Sequence, residues 1–144
     1  MSTLEDSKQI FTPLFDSISH LLETYSQKFP QKEAIISINI DTNEEYKISY
    51  KKLEELVKKT ANFLYEKGIR KNDRIAFMMH NIHDVIVLEF AVAIIGASSV
   101  PLDLKRDTLE RKIFKLTDTN AKLVFIRTDE ENVEKDVKPI RETL

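Results

Sequence analysis

Three features of this 144-residue chain predict an α/β fold: a layered, mostly parallel sheet with flanking helices and an N-terminal antiparallel hairpin. From Arg74 onward, short runs rich in β-branched residues alternate with segments of helical period. Such alternation demands crossover connections, which build parallel sheets. Two further runs, Ala34–Ile40 and Tyr46–Ile48, flank the turn cluster Asp41-Thr42-Asn43, so the first two strands should form a hairpin. Hydrophobic residues make up 42% of the chain, enough to fill a core at this length.

Each element follows from its residues. Residues 1–10 read as a loose leader. Thr12 and Pro13 suit an N-cap and the first helical position, and Leu14, Phe15, Ile18, Leu21, Leu22 and Tyr25 then recur at helical spacing. That helix should stop near Phe29-Pro30, because a residue before proline avoids the α region. After the hairpin, Ser49 can cap a helix whose stripe is Leu53, Leu56, Val57, Thr60, Ala61 and Leu64. Lys51/Glu55, Glu54/Lys58 and Glu55/Lys59 pair across one turn on its other face, and Gly68 suits its left-handed end. Arg74–Met79 is a short apolar strand. Asp84–Ile95 is apolar almost all round, so that helix should be covered on more than one side, and an uncovered side should favour self-association. Gly96 ends it. Ser99–Leu102 is a strand, Asp107 or Thr108 caps a helix carrying Leu109, Ile113, Phe114 and Leu116, and Lys122–Ile126 is a further strand. The charged tail from Asp129 holds a short helix interrupted before Pro139.

Composition narrows function by exclusion. An average protein of this size has about 7% glycine, whereas this chain has two glycines in all, Gly68 and Gly96. Backbone cradles for nucleotide phosphates need several, because amides must approach closely and φ must often be positive. The 22 basic and 24 acidic residues leave a net charge of −2, with no nucleic-acid signature. The absence of cysteine excludes disulfides and thiolate chemistry. The polar start is no signal peptide, and the apolar stretch Val85–Leu102 is broken by Glu89, Gly96, Ser98-Ser99 and Pro101. It reads as a buried helix and strand rather than a transmembrane segment, and a cytoplasmic protein is expected.

Candidate chemistry is sparse. His80 and His83 form H-x-x-H, but a metal needs a third ligand and only Asp84 is near in sequence, so a polar loop is the simpler reading. His20 falls on the polar side of its helix. Asp103 follows a strand, where open α/β sheets take ligands; such an Asp also caps turns. Lys105 and Arg106 beside a helix start could bind phosphate or form a solvated turn. The Lys51-Lys52 and Lys58-Lys59 pairs interleave with Glu54, Glu55 and Glu66 and suit a salt-bridged surface. Tyr50 and Tyr65 read as residues at the edge of the core. No catalytic, cofactor-binding or metal-binding residue is assigned.

Three stretches in order resemble the adenylate-forming (AMP-binding) enzymes, a superfamily that includes acyl-CoA synthetases. Ile48-Ser49-Tyr50-Lys51-Lys52-Leu53 is similar to the L-[ST]-Y-x-E-L segment, with Lys52 in place of the acid. Gly68 to Ala76, followed by Asn81, is similar to G-V-x-x-G-D-R-V-A…P-N, with Asn72 in place of Gly and His80 in place of Pro. Ile95 to Asp103 is similar to K-A-G-A-x-x-V-P-L-[DN], with Ile95 in place of Lys. Tyr25…Phe29-Pro30…Ala34 and Thr119 to Val124 are weaker echoes. These segments are structural in character. Asn is the best non-glycine residue for a left-handed turn, so position 72 tolerates it.

The resemblance implies a large ligase that activates a carboxylic acid with ATP and Mg, forms an acyl-adenylate, and in most members transfers the acyl group to CoA. It places the phosphate loop, the nucleotide pocket and the catalytic lysine beyond the matched region. The expected organisation is therefore an amino-terminal subdomain at residues 11–127, with residues 128–144 leading into an ATP-binding region. The fragment itself should be inactive, with no cofactor of its own and the remaining domains of the polypeptide as its partners. The alternative is a free-standing, non-catalytic α/β binding or regulatory module.

Overall fold

The structure is a computed structural model that describes residues 14–40, 42–79, 82–127 and 133–144. Its elements are α1 (Ile18–Lys28), β1 (Glu33–Ile38), β2 (Glu45–Ser49), α2 (Tyr50–Glu66), β3 (Arg74–Met78), α3 (His83–Ile95), β4 (Ser98–Pro101), α4 (Leu109–Thr119), β5 (Leu123–Ile126) and α5 (Glu134–Thr143). Strands β4, β3 and β5 lie in that order in a parallel sheet, and β1 and β2 form a separate antiparallel hairpin. The α/β class, the parallel sheet and the hairpin are thus as the sequence predicts.

The central strand β3 shows how the layers arise. Its side chains alternate across the sheet. Ile75 and Phe77 join one core with Leu22 of α1, Val57 and Leu64 of α2, and Ala91 and Val92 of α3. Ala76 and Met78 join a second core with Val100, Leu116 of α4 and Ile140 of α5. Helices therefore cover both faces, and α3 and α4 lie on opposite sides.

The ends of the elements carry the local chemistry. Ser49 accepts a hydrogen bond from Lys52 N and caps α2, and Gly68 after it has φ +87°. Gly96 ends α3 at φ +77°, where a Cβ would also stand 3.2 Å from Lys71 Cγ. Asn72 has φ +68°, the left-handed turn expected of it, and its amide donates to Gly96 O at 2.8 Å. Thr108, rather than Asp107, caps α4 by accepting from Arg111 N.

Four expectations change. Helix α1 starts at Ile18 with Ser17 as its cap, so Leu14 and Phe15 lie outside it. Leu14 is exposed, and Phe15 instead packs its ring on Tyr25 and His20. Thr12 and Pro13 fall outside the described residues. In α4 the buried residues are Lys112 and Leu116, while Phe114 is 60% exposed. Helix α5 runs through Pro139 instead of stopping before it. The proline forgoes one helical hydrogen bond, but buried Val133, Asp136 and Ile140 pin the segment to the body. Of the three predicted ion pairs on α2, Glu54–Lys58 is found at 2.7 Å, and Glu55 takes Lys52, one turn back, at 3.1 Å. Helix α3, apolar almost all round, buries Val87, Leu88, Ala91 and Val92 and leaves Ile86 exposed.

Candidate functional site

The crossover after β3 runs along one face of the sheet, and the crossover after β4 runs along the other. Adjacent strands with opposite crossovers leave a gap at their carboxyl ends, which is where open α/β sheets take ligands. Here that gap is a crevice of about 570 Å³, with Met79, Val85 and Glu89 on one side and Asp103, Arg106 and Lys115 on the other.

The β4–α4 turn forms one wall and is held by two carboxylates. Asp103 Oδ1 accepts from the amides of Lys105 and Arg106, both at 2.8 Å. The Asp103 amide in turn donates to Asp107 Oδ2 at 2.8 Å. Asp107 is buried and also receives Arg111 Nε and Lys115 Nζ, and Lys115 reaches on to Pro101 O at 3.1 Å. The amides of Arg106 and Lys105 hold the Asp103 carboxyl below the usual carboxylate range. Burial pushes Asp107 upward, but the Lys115 hydrogen bond, the Asp103 amide and the two nearby cations outweigh it, so its pKa also lies below the ordinary value.

This arrangement is a network of hydrogen bonds and ion pairs that holds the turn. Asp103 is an ionised turn-former, which makes it a weak base near neutrality. Arg106 is 91% exposed and stands 4.0 Å from Asp103. Lys105 lines the crevice beside it. The structure thus brings Asp103, Lys105 and Arg106 to one side of the crevice, adds Lys115 beside them and sets Glu89 across from them, while Asp107 holds Lys115 from behind the turn. Position after a strand pointed to the first three. Lys115 and Asp107 sit eight residues apart, and only the fold of the turn joins them.

The other sequence candidates have local partners. His83 stacks on Tyr46 with ring centroids 4.3 Å apart, and its Nε2 lies 3.6 Å from Asp84. Its buried Nδ1 has no hydrogen-bond partner. His80 lies outside the described residues, and among those described no three His, Asp or Glu groups converge as a metal set. His20 lies on the surface beside Asp16. Lys58 bridges Glu23 and Glu54, consistent with a solvated charged face. Tyr50 stacks on Tyr25, and Tyr65 is exposed with the Arg70 guanidinium 3.6 Å from its ring centroid. Asp73 receives Lys122 Nζ at 2.7 Å and the Arg70 amide, and these lower its pKa. Arg74 fastens the start of β3 to the end of α4 through Thr119 O and Asn120 O.

Neither glycine lines the crevice. Both end helices at positive φ, and Gly96 lies before β4 while the crevice lies after it. The described residues therefore do not fit a glycine-rich phosphate cradle.

The family model described as AMP-binding enzyme matches residues 22–144. This chain belongs to the AMP-binding enzyme family. Acetyl-coenzyme A synthetase 1 of Saccharomyces cerevisiae is 34% identical over 114 residues, 77% of this chain and 15% of the relative. Crotonobetaine/carnitine–CoA ligase of Salmonella typhimurium is 42% identical over 57 residues, 40% of this chain and 11% of the relative. The chain thus spans a small part of the relatives it matches. Among solved structures, acetoacetyl-CoA synthetase from Streptomyces lividans superposes with a TM-score of 0.79 at 18% identity, over 89% of this chain and 20% of that one. A Mycobacterium tuberculosis fatty acyl CoA synthetase gives 0.69 at 24% identity, over 87% and 23%. These likenesses show the shared fold. Among the described residues, no helix is long and apolar enough to cross a membrane.

Proposed function

We propose that residues 11–127 form the amino-terminal α/β subdomain of an AMP-forming acid–thiol ligase, with residues 128–144 leading into its ATP-binding region. The observation that carries this reading is the family match over residues 22–144, set beside a relative of which the chain spans 15%. In the reaction, a carboxylate oxygen attacks the α-phosphorus of ATP and the α–β bridging bond breaks. The products are acyl-adenylate and pyrophosphate, and CoA thiol then displaces AMP. Such a step needs charge neutralisation and in-line positioning. In this reading ATP, Mg and CoA are bound by the longer enzyme, supported by the family match and the small share of the relatives that the chain spans.

The role of this piece is scaffolding. The β4–α4 turn, locked by Asp103 and Asp107, presents Lys105 and Arg106 at a fixed rim, and the two cores hold the sheet that carries it. Alone it is inactive, and it works in the cytoplasm. The test is ATP–pyrophosphate exchange with a panel of carboxylic acids. Residues 1–144 should give none, and the longest product of the reading frame should give exchange. Exchange by residues 1–144 alone would overturn the scaffold role.

A further inference from the structure

Charge is nearly balanced over the whole chain, with 22 basic and 24 acidic residues, but it is uneven in one place. The segments 24–32 and 49–53 hold Lys28, Lys32, Lys51 and Lys52 and no acidic residue. The fold brings the two segments together. Tyr50 N donates to Lys32 O at 3.0 Å, and Lys51 N donates to Pro30 O at 3.2 Å, so the turn after α1 is fastened to the start of α2. All four lysines are exposed. Lys52 reaches Glu55 at 3.1 Å, but among the described residues no carboxylate pairs with Lys28, Lys32 or Lys51.

The start of α2 is an unfavourable place for such charge. Cations there oppose the helix dipole, and α2 has no acid in its first turn to offset them. Lys52 also stands where the L-[ST]-Y-x-E-L segment has its acid. Helix stability does not call for these lysines, whereas an anionic partner does.

Phe29 stands among them. It is 38% exposed, and Lys28 and Lys32 place their ammonium groups 5.3 and 5.4 Å from its ring centroid. Tyr25 packs against that ring with centroids 6.1 Å apart and itself stacks on Tyr50 at 5.0 Å. A held aromatic ring among lysines suits the boundary of a bilayer, where a ring lies at headgroup level and lysines reach anionic lipids. Nucleic acid suits the patch less, since these segments hold no arginine for bidentate phosphate contacts. We propose that this patch docks the protein reversibly on an anionic bilayer, with the Phe29 ring at the headgroup boundary and Lys28, Lys32 and Lys51 toward the lipid anions. The proposal goes beyond the ligase reading and does not depend on it.

Vesicle flotation of residues 1–144 and of the longest product of the reading frame tests it. Vesicles of equimolar phosphatidylserine and phosphatidylcholine are set against phosphatidylcholine alone. Both proteins should float with the anionic vesicles only, and high salt should release them. Lys28→Gln, Lys32→Gln and Lys51→Gln should each weaken binding roughly 5-fold, with the thermal midpoint nearly unchanged. Lys138→Gln, at an 85% exposed side chain of α5, removes the same charge elsewhere and should leave binding as it was. The chain has no tryptophan, so Phe29→Trp supplies a lone reporter whose emission should shift to the blue on anionic vesicles. Absence of flotation, equal binding to both vesicle types, an equal loss from Lys138→Gln or an unshifted emission would each overturn the proposal. Flotation of residues 1–144 that is lost in the longer product would show the patch covered there and overturn it. Tighter binding to polyglutamate or single-stranded DNA than to the vesicles would name another partner and overturn it as well.

Discussion

The two faces of the parallel sheet are built from different materials. The face under α1, α2 and α3 is closed mainly by aliphatic and aromatic side chains: Leu22, Leu53, Val57, Leu64, Val87, Ala91 and Val92 meet Ile75 and Phe77, with buried Ser26 of α1 at the margin beside Glu54. The face under α4 and α5 has a smaller apolar core and carries charge inside it. Lys112 Nζ lies 2.7 Å from Asp136 Oδ2, with the two side chains only 4% and 8% exposed. Asp107 is sunk nearby with Lys115 and Arg111. Apolar packing is non-directional and tolerates small shifts of one helix over another. A buried ion pair does not, because either charge left alone must be desolvated without compensation. We read the difference as strength on one face and fixed geometry on the other: the Lys112–Asp136 pair holds α5 at one place on α4.

The variant expected to break this contrast most strongly is Lys112→Met. It strands the Asp136 carboxylate in the interior and should cost about 3–5 kcal/mol in urea unfolding. Lys112→Met/Asp136→Leu should recover most of that loss. If the double variant is no more stable than the single, the pair is not an isolated charge couple and the contrast fails. On the other face, Leu64→Ala empties a fully buried site in α2. It should cost about 2–5 kcal/mol, with no rescue by any charge change. Thr108→Ala removes the cap of α4 and should cost about 1 kcal/mol. Because the cap sits beside the crevice, exchange at the amides of Lys105 and Arg106 should show the change better than the global transition.

The smallest expected effect is with pH, and it bears most on the β4–α4 turn, where two carboxylates are lowered, against Glu54 of α2 on the other face, lowered by Lys58 and Ser26. Asp107 and Asp103, in the β4–α4 turn, have folded pKa values below their ordinary range. A lowered folded pKa means that the unfolded chain binds protons more readily. Their contribution to stability is therefore fully present above the unfolded value of about 3.9 and is lost as pH falls through the lower folded values. Acid should loosen the β4–α4 turn before the α1–α2–α3 core. Amide exchange followed from neutral pH downward checks the order, and simultaneous opening of both regions would contradict it.

The same contrast marks what could be read from the sequence. On the apolar face, helix α2 was legible from its cap to its end: Ser49 caps it, Leu53, Val57, Ala61 and Leu64 face inward, and Gly68 follows it in a left-handed conformation. On the charged face the helical stripe misled. Phe114 is apolar and exposed, while Lys112, one turn from Leu116, is buried because Asp136 waits 24 residues later. Pro139 misled for the same reason, since tertiary contacts carry α5 past it. The crevice was half legible. Asp103, Lys105 and Arg106 stood out by following a strand, but Glu89 and Lys115 join them only when α3 and α4 take opposite faces.

Sequence alone determined the class of the fold, the order of its elements and most of their ends. These follow from hydrophobic period, caps and left-handed positions, which are properties of neighbours along the chain. The pairing of Lys112 with Asp136, the sinking of Asp107 and the gathering of charges at the crevice were decided by tertiary structure. Each depends on the desolvation of a charge, and that energy is set by which distant group the fold brings within hydrogen-bond reach.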